Sequence, residues 1–548
     1  MEEVIKELKQ AVKYTKDKEY KKAEEIYSKL NKKYPNEESV LSFTGLFYYN
    51  LGKYKKAEKY LDKVYKNFKS KTVVLYLGLT KFRLKKFNSA SKYLELAYEN
   101  NKSSEIIKQL LTACISAEEW GKGYKYGKIA HEIFPFDERV LGEFSQACIF
   151  YGQFRDAEIY TKKLLALNPN SINANYNLGL LQEVLYGNEL KAREYYNNIV
   201  QLGDKNTGYF HLAVSYSKDD NTKEKGYEYL KKLKKLDSNK KGLNFLFASY
   251  HLSKRQFSKG YKYYVQPDIY TQDDIDWYNK FKHPWTGGTY KDDILLVYGD
   301  QGLGDQIQFS RYLPFLQKKF KELRVVVAKS LIEIFENSFA KYKNIKFYSR
   351  EKKSFPKYNK SVQLASTIYY LNKRFNNIPF SAGYLEANSK KIEKYKLNYF
   401  NNDKLKIGIC WEAGATGLKE QIHRTLNVEL FEKIIKLKKA NVYSFQVKPT
   451  LDNYKKYSEL IDIGSTFKNF DDTAAALKNL DVLVTVDTSI AHLSGALGVK
   501  TFMLLPYCPD WRWFDNTQNT EWYDSVRIFK QKPNEDWEFV INRILENL

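Results

Sequence analysis

The residues best suited to chemistry sit in two short stretches. Residues 298–316 read YGDQGLGDQIQFSRYLPFL: an apolar run enters a turn at Gly302, Leu303, Gly304 and Asp305, and an amphipathic helical pattern follows. Glycines at such a turn let a ligand approach the backbone, and the start of the helix offers unpaired N–H groups to an anion or a hydroxyl. Asp305 can act there as a general base on an acceptor hydroxyl, or serve only as a helix cap. Residues 480–506, LDVLVTVDTSIAHLSGALGVKTFMLLP, put Asp487, Thr488 and Ser489 where an apolar run gives way to a helix, with His492 in its first turns. Thr488 and Ser489 can hold a diphosphate, and Asp487 can accept hydrogen bonds from sugar hydroxyls. Capping explains Asp487 equally well, and a buried, hydrogen-bonded role explains His492. Neither stretch is a GxGxxG dinucleotide fingerprint, and no phosphate loop of the GxxxxGK type occurs.

Both stretches lie among apolar runs of strand type. These are residues 294–298, 323–328, 345–348, 406–411, 441–446, 481–486, 501–506 and 526–529, with helical patterns between them. Such alternation predicts parallel sheets covered on both faces, whose carboxyl ends are the usual place for ligands. A polar stretch near 385–404 divides the runs into two groups and reads as the connection between two lobes. The aromatic cluster Trp511, Trp513, Trp522 and Tyr523 near the end is expected mainly to pack.

The first half of the chain follows another rule. Small residues recur at Ala23, Ala57, Ala90, Gly123, Ala157, Ala192, Gly226 and Gly260, a period near 34. A second small residue precedes several by about twelve (Ala11, Gly45, Gly78, Ala248), and Pro35, Pro135 and Pro169 close units. Helices approach closely only where side chains are small, and Pro stops a helix because it lacks the N–H. This pattern resembles the tetratricopeptide repeat, which implies a right-handed solenoid of about eight units with a concave recognition face. Most individual aromatics there, such as Tyr14, Tyr27 and Tyr48, are expected to be inter-helix core. The beat stops after Tyr264, and a Pro- and Gly-containing linker with Trp277 and Trp285 follows.

Taken together, the chemistry-bearing stretches resemble the heptosyltransferase-like glycosyltransferases of family 9, in a branch carrying N-terminal tetratricopeptide repeats. The resemblance spans about residues 280–545. It rests on DQGLGD at 300–305 with FSRYLP at 309–314, CW at 410–411, HRTL at 423–426, the stretch 471–498 with DTSIAHLSGALG, LLPYCPDWRWF at 504–514 and EWY at 521–523. It departs from the family's pattern at Glu412-Ala413-Gly414-Ala415 and at Ser489. It implies a GT-B fold of two Rossmann-like lobes and inverting transfer from a nucleotide-sugar, with no metal and no cofactor. Carried over, Asp305 is the base, Arg424 neutralises the leaving diphosphate, and Asp487, Thr488, Ser489 and His492 line the donor site. Lys448 or Lys419 would assist Arg424. The expected layout is a solenoid over 1–265, a linker over 266–291, an acceptor-side lobe over 292–390 and a donor-side lobe over 391–548.

Bulk properties narrow the alternatives. The 548 residues carry a formal charge of +25. The lysines are dispersed on expected outer helix faces, as at Lys231, Lys232, Lys234 and Lys235, so nucleic-acid binding ranks last. Cys114, Cys148, Cys410 and Cys508 are scattered without a CxxC pair. With no 18-residue apolar run and no signal-peptide pattern, a reduced cytoplasmic protein is expected. The function expected is sugar transfer to a protein, polysaccharide or lipid-linked glycan held by the repeats. The alternative is a repeat scaffold carrying a catalytically inactive α/β domain.

Overall fold

A computed structural model describes residues 2–265, 277–300, 302–352, 354–371, 378–414, 424–449, 452–507, 509–514, 518–532 and 535–548. Residues 2–265 form sixteen helices, α1 (Glu2–Lys16) to α16 (Phe257–Tyr264), in eight consecutive pairs of tetratricopeptide type. All eight periodic small residues lie buried in the second helix of a pair. The small residues of the first helices face them. A Cβ on Gly45 would meet Leu61 at 2.6 Å, and one on Gly179 would meet Tyr196 at 2.4 Å. Pro35, Pro135 and Pro169 each follow the second helix of a pair by two residues.

In six of the eight pairs three residues separate the two helices, and the middle one takes a left-handed φ: Lys18, Gly52, Lys85, Glu118, Gly152 and Arg255. Four of these are not glycine, so the close approach of the helices outweighs the roughly 1 kcal/mol that a Cβ costs in that conformation. By internal contacts the chain divides into two compact units, Met1–Asp204 and Lys205–Leu548. The first holds α1–α12. The second holds α13 (Lys205–Ser217) to α16 together with the α/β region.

The α/β region contains two sheets. The first has the order β3-β2-β1-β4, all parallel, with β1 Tyr290–Tyr298, β2 Phe320–Val327, β3 Ile345–Ser349 and β4 Lys360–Gln363. The second has the order β10-β11-β9-β8-β5-β6-β7. Its members are β5 Leu405–Cys410, β6 Ala440–Ser444, β7 Leu460–Asp462, β8 Val482–Val486, β9 Thr501–Leu505, β10 Asn519–Thr520 and β11 Tyr523–Lys530. Only the short β10 runs antiparallel, against β11. The parallel strands therefore follow the doubly wound order, which reverses between β5 and β8. All eight expected strands are present. Strands β4, β7 and β10 are additions that the apolar runs do not announce.

Helix α17 (Leu303–Ser310) follows β1, and α18 (Ile332–Ser338) follows β2. The polar stretch between the sheets carries α19 (Ser389–Tyr395) and a π turn over Lys396–Phe400. Helix α20 (Phe470–Leu477) precedes β8, α21 (Ser489–Ala496) follows it, and α22 (Trp537–Leu545) lies near the end of the chain. Lys391 on α19 ties the sheets' helices together, reaching Glu333 on α18 at 2.7 Å and Asp471 and Asp472 on α20 at 3.0 and 2.9 Å. Among the described residues no helix is long and apolar enough to cross a membrane.

Candidate functional site

The two chemistry-bearing stretches meet. In each a turn follows the end of a central strand, β1 in the first and β8 in the second, and opens a helix, α17 and α21. The helices touch at Gly304: a Cβ there would lie 2.7 Å from Cδ2 of His492. His492 is buried, stacks on Trp513 with ring centroids 5.1 Å apart, and shares a 3.0 Å hydrogen bond through Nδ1 with the hydroxyl of Tyr523. Burial, reinforced by Arg512, Arg424 and Arg311, holds its imidazole well below the usual pKa, so it is neutral. Gly495 lets α21 lie flat on Tyr523, since a Cβ there would come within 2.4 Å of that ring.

Asp305 occupies the first turn of α17. Its Oδ1 pairs with Nη2 of Arg512 at 2.5 Å, while Nη1 of the same guanidinium binds Asp510 at 2.8 Å and its Nε donates to Gln308 at 3.2 Å. A Cβ on Gly302 would come 2.6 Å from Oδ2 of Asp305, so a larger residue there would have to push the carboxylate aside. Gly302, not Asp305, is the residue at the N-cap of α17.

On the opposite side, Asp487 is buried at the end of β8, and burial raises its carboxyl pKa despite the opposing charge of Arg424. Arg424 donates from Nε and Nη2 to the main-chain carbonyl of Asp487 at 3.0 and 2.7 Å. Its guanidinium is 3.7 Å from the carboxylate. Thr488, not Asp487, caps α21, accepting from the N–H of Ala491 at 3.4 Å. Ser489 starts that helix, half-buried. Lys448 follows β6, exposed and with a left-handed φ of 53°, and among the described residues no hydrogen bond or ion pair joins it to this group. Lys419 lies outside the described residues.

Three further side chains belong here. Asp300, two residues past β1, is buried; its carboxylate accepts from Nε2 of Gln363 at 2.5 Å and from the N–H of Ala365 at 3.0 Å. Burial, with Asp305 nearby, pushes its pKa up to about 7. It thus sits where the strand order of the first sheet reverses, between the ends of β1 and β4. Arg311 is fully buried, donates from Nη1 to the carbonyls of Trp522 and Pro379 at 3.0 and 3.3 Å, and lies over the rings of Tyr384, Tyr523 and Trp522. Arg512 is the third. Arg311, Arg512 and Tyr523 all fall within the stretches quoted for the resemblance. Their roles depend on contacts across up to about two hundred residues, which no local spacing reveals.

No protein-family profile matches the chain. Protein FlbA of Caulobacter vibrioides is 21% identical over 285 residues, a match taking in 47% of this chain and 47% of that protein. Solved structures similar to this chain include tetratricopeptide proteins. One from Parabacteroides merdae is 16% identical with a TM-score of 0.37, over 44% of this chain and 97% of that one. A thermophilic one from Thermus thermophilus is 18% identical with a TM-score of 0.30, over 33% of this chain and 100% of that one.

Proposed function

We propose that the α/β region is a glycosyltransferase of GT-B type, similar to the family 9 enzymes, and that the repeats recruit its acceptor. The observation that carries this reading is the crossing of α17 and α21 at Gly304 and His492, which brings the first turn of α17, with Asp305, against a helix that opens beside the switch point of the second sheet. The donor nucleotide-sugar would lie over Thr488 and Ser489, at the start of the eight-residue helix α21, with its diphosphate toward the unpaired N–H groups and Arg424. Asp305 would take the proton of an acceptor hydroxyl. The acceptor oxygen then bonds to the sugar's anomeric carbon as the bond from that carbon to the diphosphate oxygen breaks. Arg424 neutralises the charge that leaves with the diphosphate. No metal or cofactor enters this scheme, and the nucleotide-sugar is a substrate.

The ion pair between Asp305 and Arg512 favours a second reading, a repeat scaffold with a silent α/β region, because the base is occupied. Release of nucleotide from UDP-, GDP-, ADP- and CMP-sugars decides between them. Selective release by the wild type, lost by more than a hundredfold in Asp305→Asn while donor-induced thermal stabilisation persists, supports transfer chemistry. Neither release nor stabilisation with any donor at millimolar concentration overturns it in favour of the scaffold.

A further inference from the structure

The last repeat shares its core with the α/β region. Ala248, Leu252, Phe257 and Tyr261, from α15 (Leu243–Ser253) and α16, belong to the same buried cluster as Leu295, Tyr312, Trp511 and Phe514. Several contacts aim this helix pair at one loop, residues 511–514. The ring of Tyr264 meets that of Trp511 edge-on at 5.7 Å, and its hydroxyl lies 3.4 Å from Nη2 of Arg512. Arg255, in the left-handed turn between α15 and α16, binds Glu521 at 2.6 Å and lies 4.6 Å over the ring of Phe514. Phe514 itself has φ 57° and ψ 167°. That is a region almost reserved for glycine and costs about 1–3 kcal/mol, so the surroundings must impose it. The loop so held carries Arg512, whose Nη2 is the group that pairs with Asp305.

We infer that the eighth repeat works as a part of the candidate catalytic site, with Tyr264 as a positioning residue that sets Arg512, and through it the carboxylate of Asp305. A guanidinium shared among Asp305, Asp510, Gln308 and Tyr264 has its direction fixed by all four. Removing one loosens its hold on the others. The array that would recruit the acceptor thus ends on Arg512, the partner of the carboxylate that would deprotonate it. The kinetic part of this inference rests on the glycosyltransferase reading; the structural part does not.

The test uses the full chain with Tyr264→Phe, Arg255→Gln and, as a control in the first repeat, Tyr14→Phe. Hydrogen exchange over residues 303–310 and 509–514 is measured beside donor turnover. Tyr264→Phe is expected to keep its melting temperature within about 2 °C, to speed exchange in both segments by about fivefold, and to lower kcat about tenfold with donor KM unchanged. Arg255→Gln is expected to speed exchange in 509–514, and Tyr14→Phe to change nothing. Unchanged exchange in both segments for Tyr264→Phe overturns the inference whether or not the protein turns over a donor. Absence of both turnover and donor-induced stabilisation in the wild type, with faster exchange in the variant, leaves the positioning role standing and removes the glycosyltransferase reading.

Discussion

Gly304 lies against the ring of His492 so closely that a Cβ on the glycine would come 2.7 Å from Cδ2. The ring has no room to retreat. Trp513 stacks on one face, Tyr523 holds Nδ1, and the side chain is buried. Gly304→Ala must therefore displace α17 from α21 or strain the histidine. A cost of about 2 kcal/mol is expected for such overpacking. Urea denaturation checks it, and a variant as stable as the wild type would show that the helices part freely.

Arg311 is a buried cation whose described partners are carbonyl oxygens and aromatic faces rather than an acid. Its Nη1 donates to the carbonyls of both Pro379 and Trp522, its Nε donates to that of Gln308, and the rings of Tyr384 and Tyr523 supply the electrostatic attraction that offsets desolvation. Lysine offers a point charge on one nitrogen, with no second nitrogen to donate to the Gln308 carbonyl and no planar group to lie over the rings. Arg311→Lys is expected to lose about 3 kcal/mol in the same denaturation experiment. A loss below about 1 kcal/mol would mean that packing of the stem, not the guanidinium, holds these segments.

The repeats were readable because their signal is local and recurs: one small residue per second helix, fixed by the distance of closest approach. The strands were readable where several apolar residues run together. Strand β4, Lys360–Gln363, has one large apolar residue in four positions, and β7 and β10 have three and two residues. They exist because neighbouring strands offer hydrogen bonds, which composition does not record. The site was half legible. Gly302, Gly304 and His492 could be placed near helix starts, but not against each other. Asp300, Arg311 and Arg512 are ordinary polar residues in sequence, and burial by distant segments gives them their character.

The shared core of α15, α16 and the α/β region predicts where the chain can be cut. A fragment of residues 205–548 keeps Leu252, Phe257 and Tyr261 in place and is expected to melt cooperatively. A fragment of 266–548 exposes the apolar partners of those side chains, including Trp511 and Phe514, and is expected to aggregate or to melt without a sharp transition. Calorimetry of the two fragments decides it. A cooperative transition in the shorter fragment would contradict the shared core.

Asp300 gives the protein a pH dependence of defined sign. Its carboxyl titrates near 7 in the fold against an ordinary value of 3.8. Below about pH 4 the folded and unfolded forms both hold the proton, and the residue contributes nothing to the slope. From there to about pH 7 the unfolded chain gives up the proton while the native state keeps it, so stability falls as pH rises; above 7 the deficit is constant. Asn at this position imitates the protonated acid, accepting from the N–H of Ala365 and donating toward Gln363, whose amide can turn to accept. Asp300→Asn is therefore expected to lose about 3 °C less in melting temperature than the wild type between about pH 5 and 7.5. Parallel melting curves across that window would mean that Asp300 is ionised in the fold throughout.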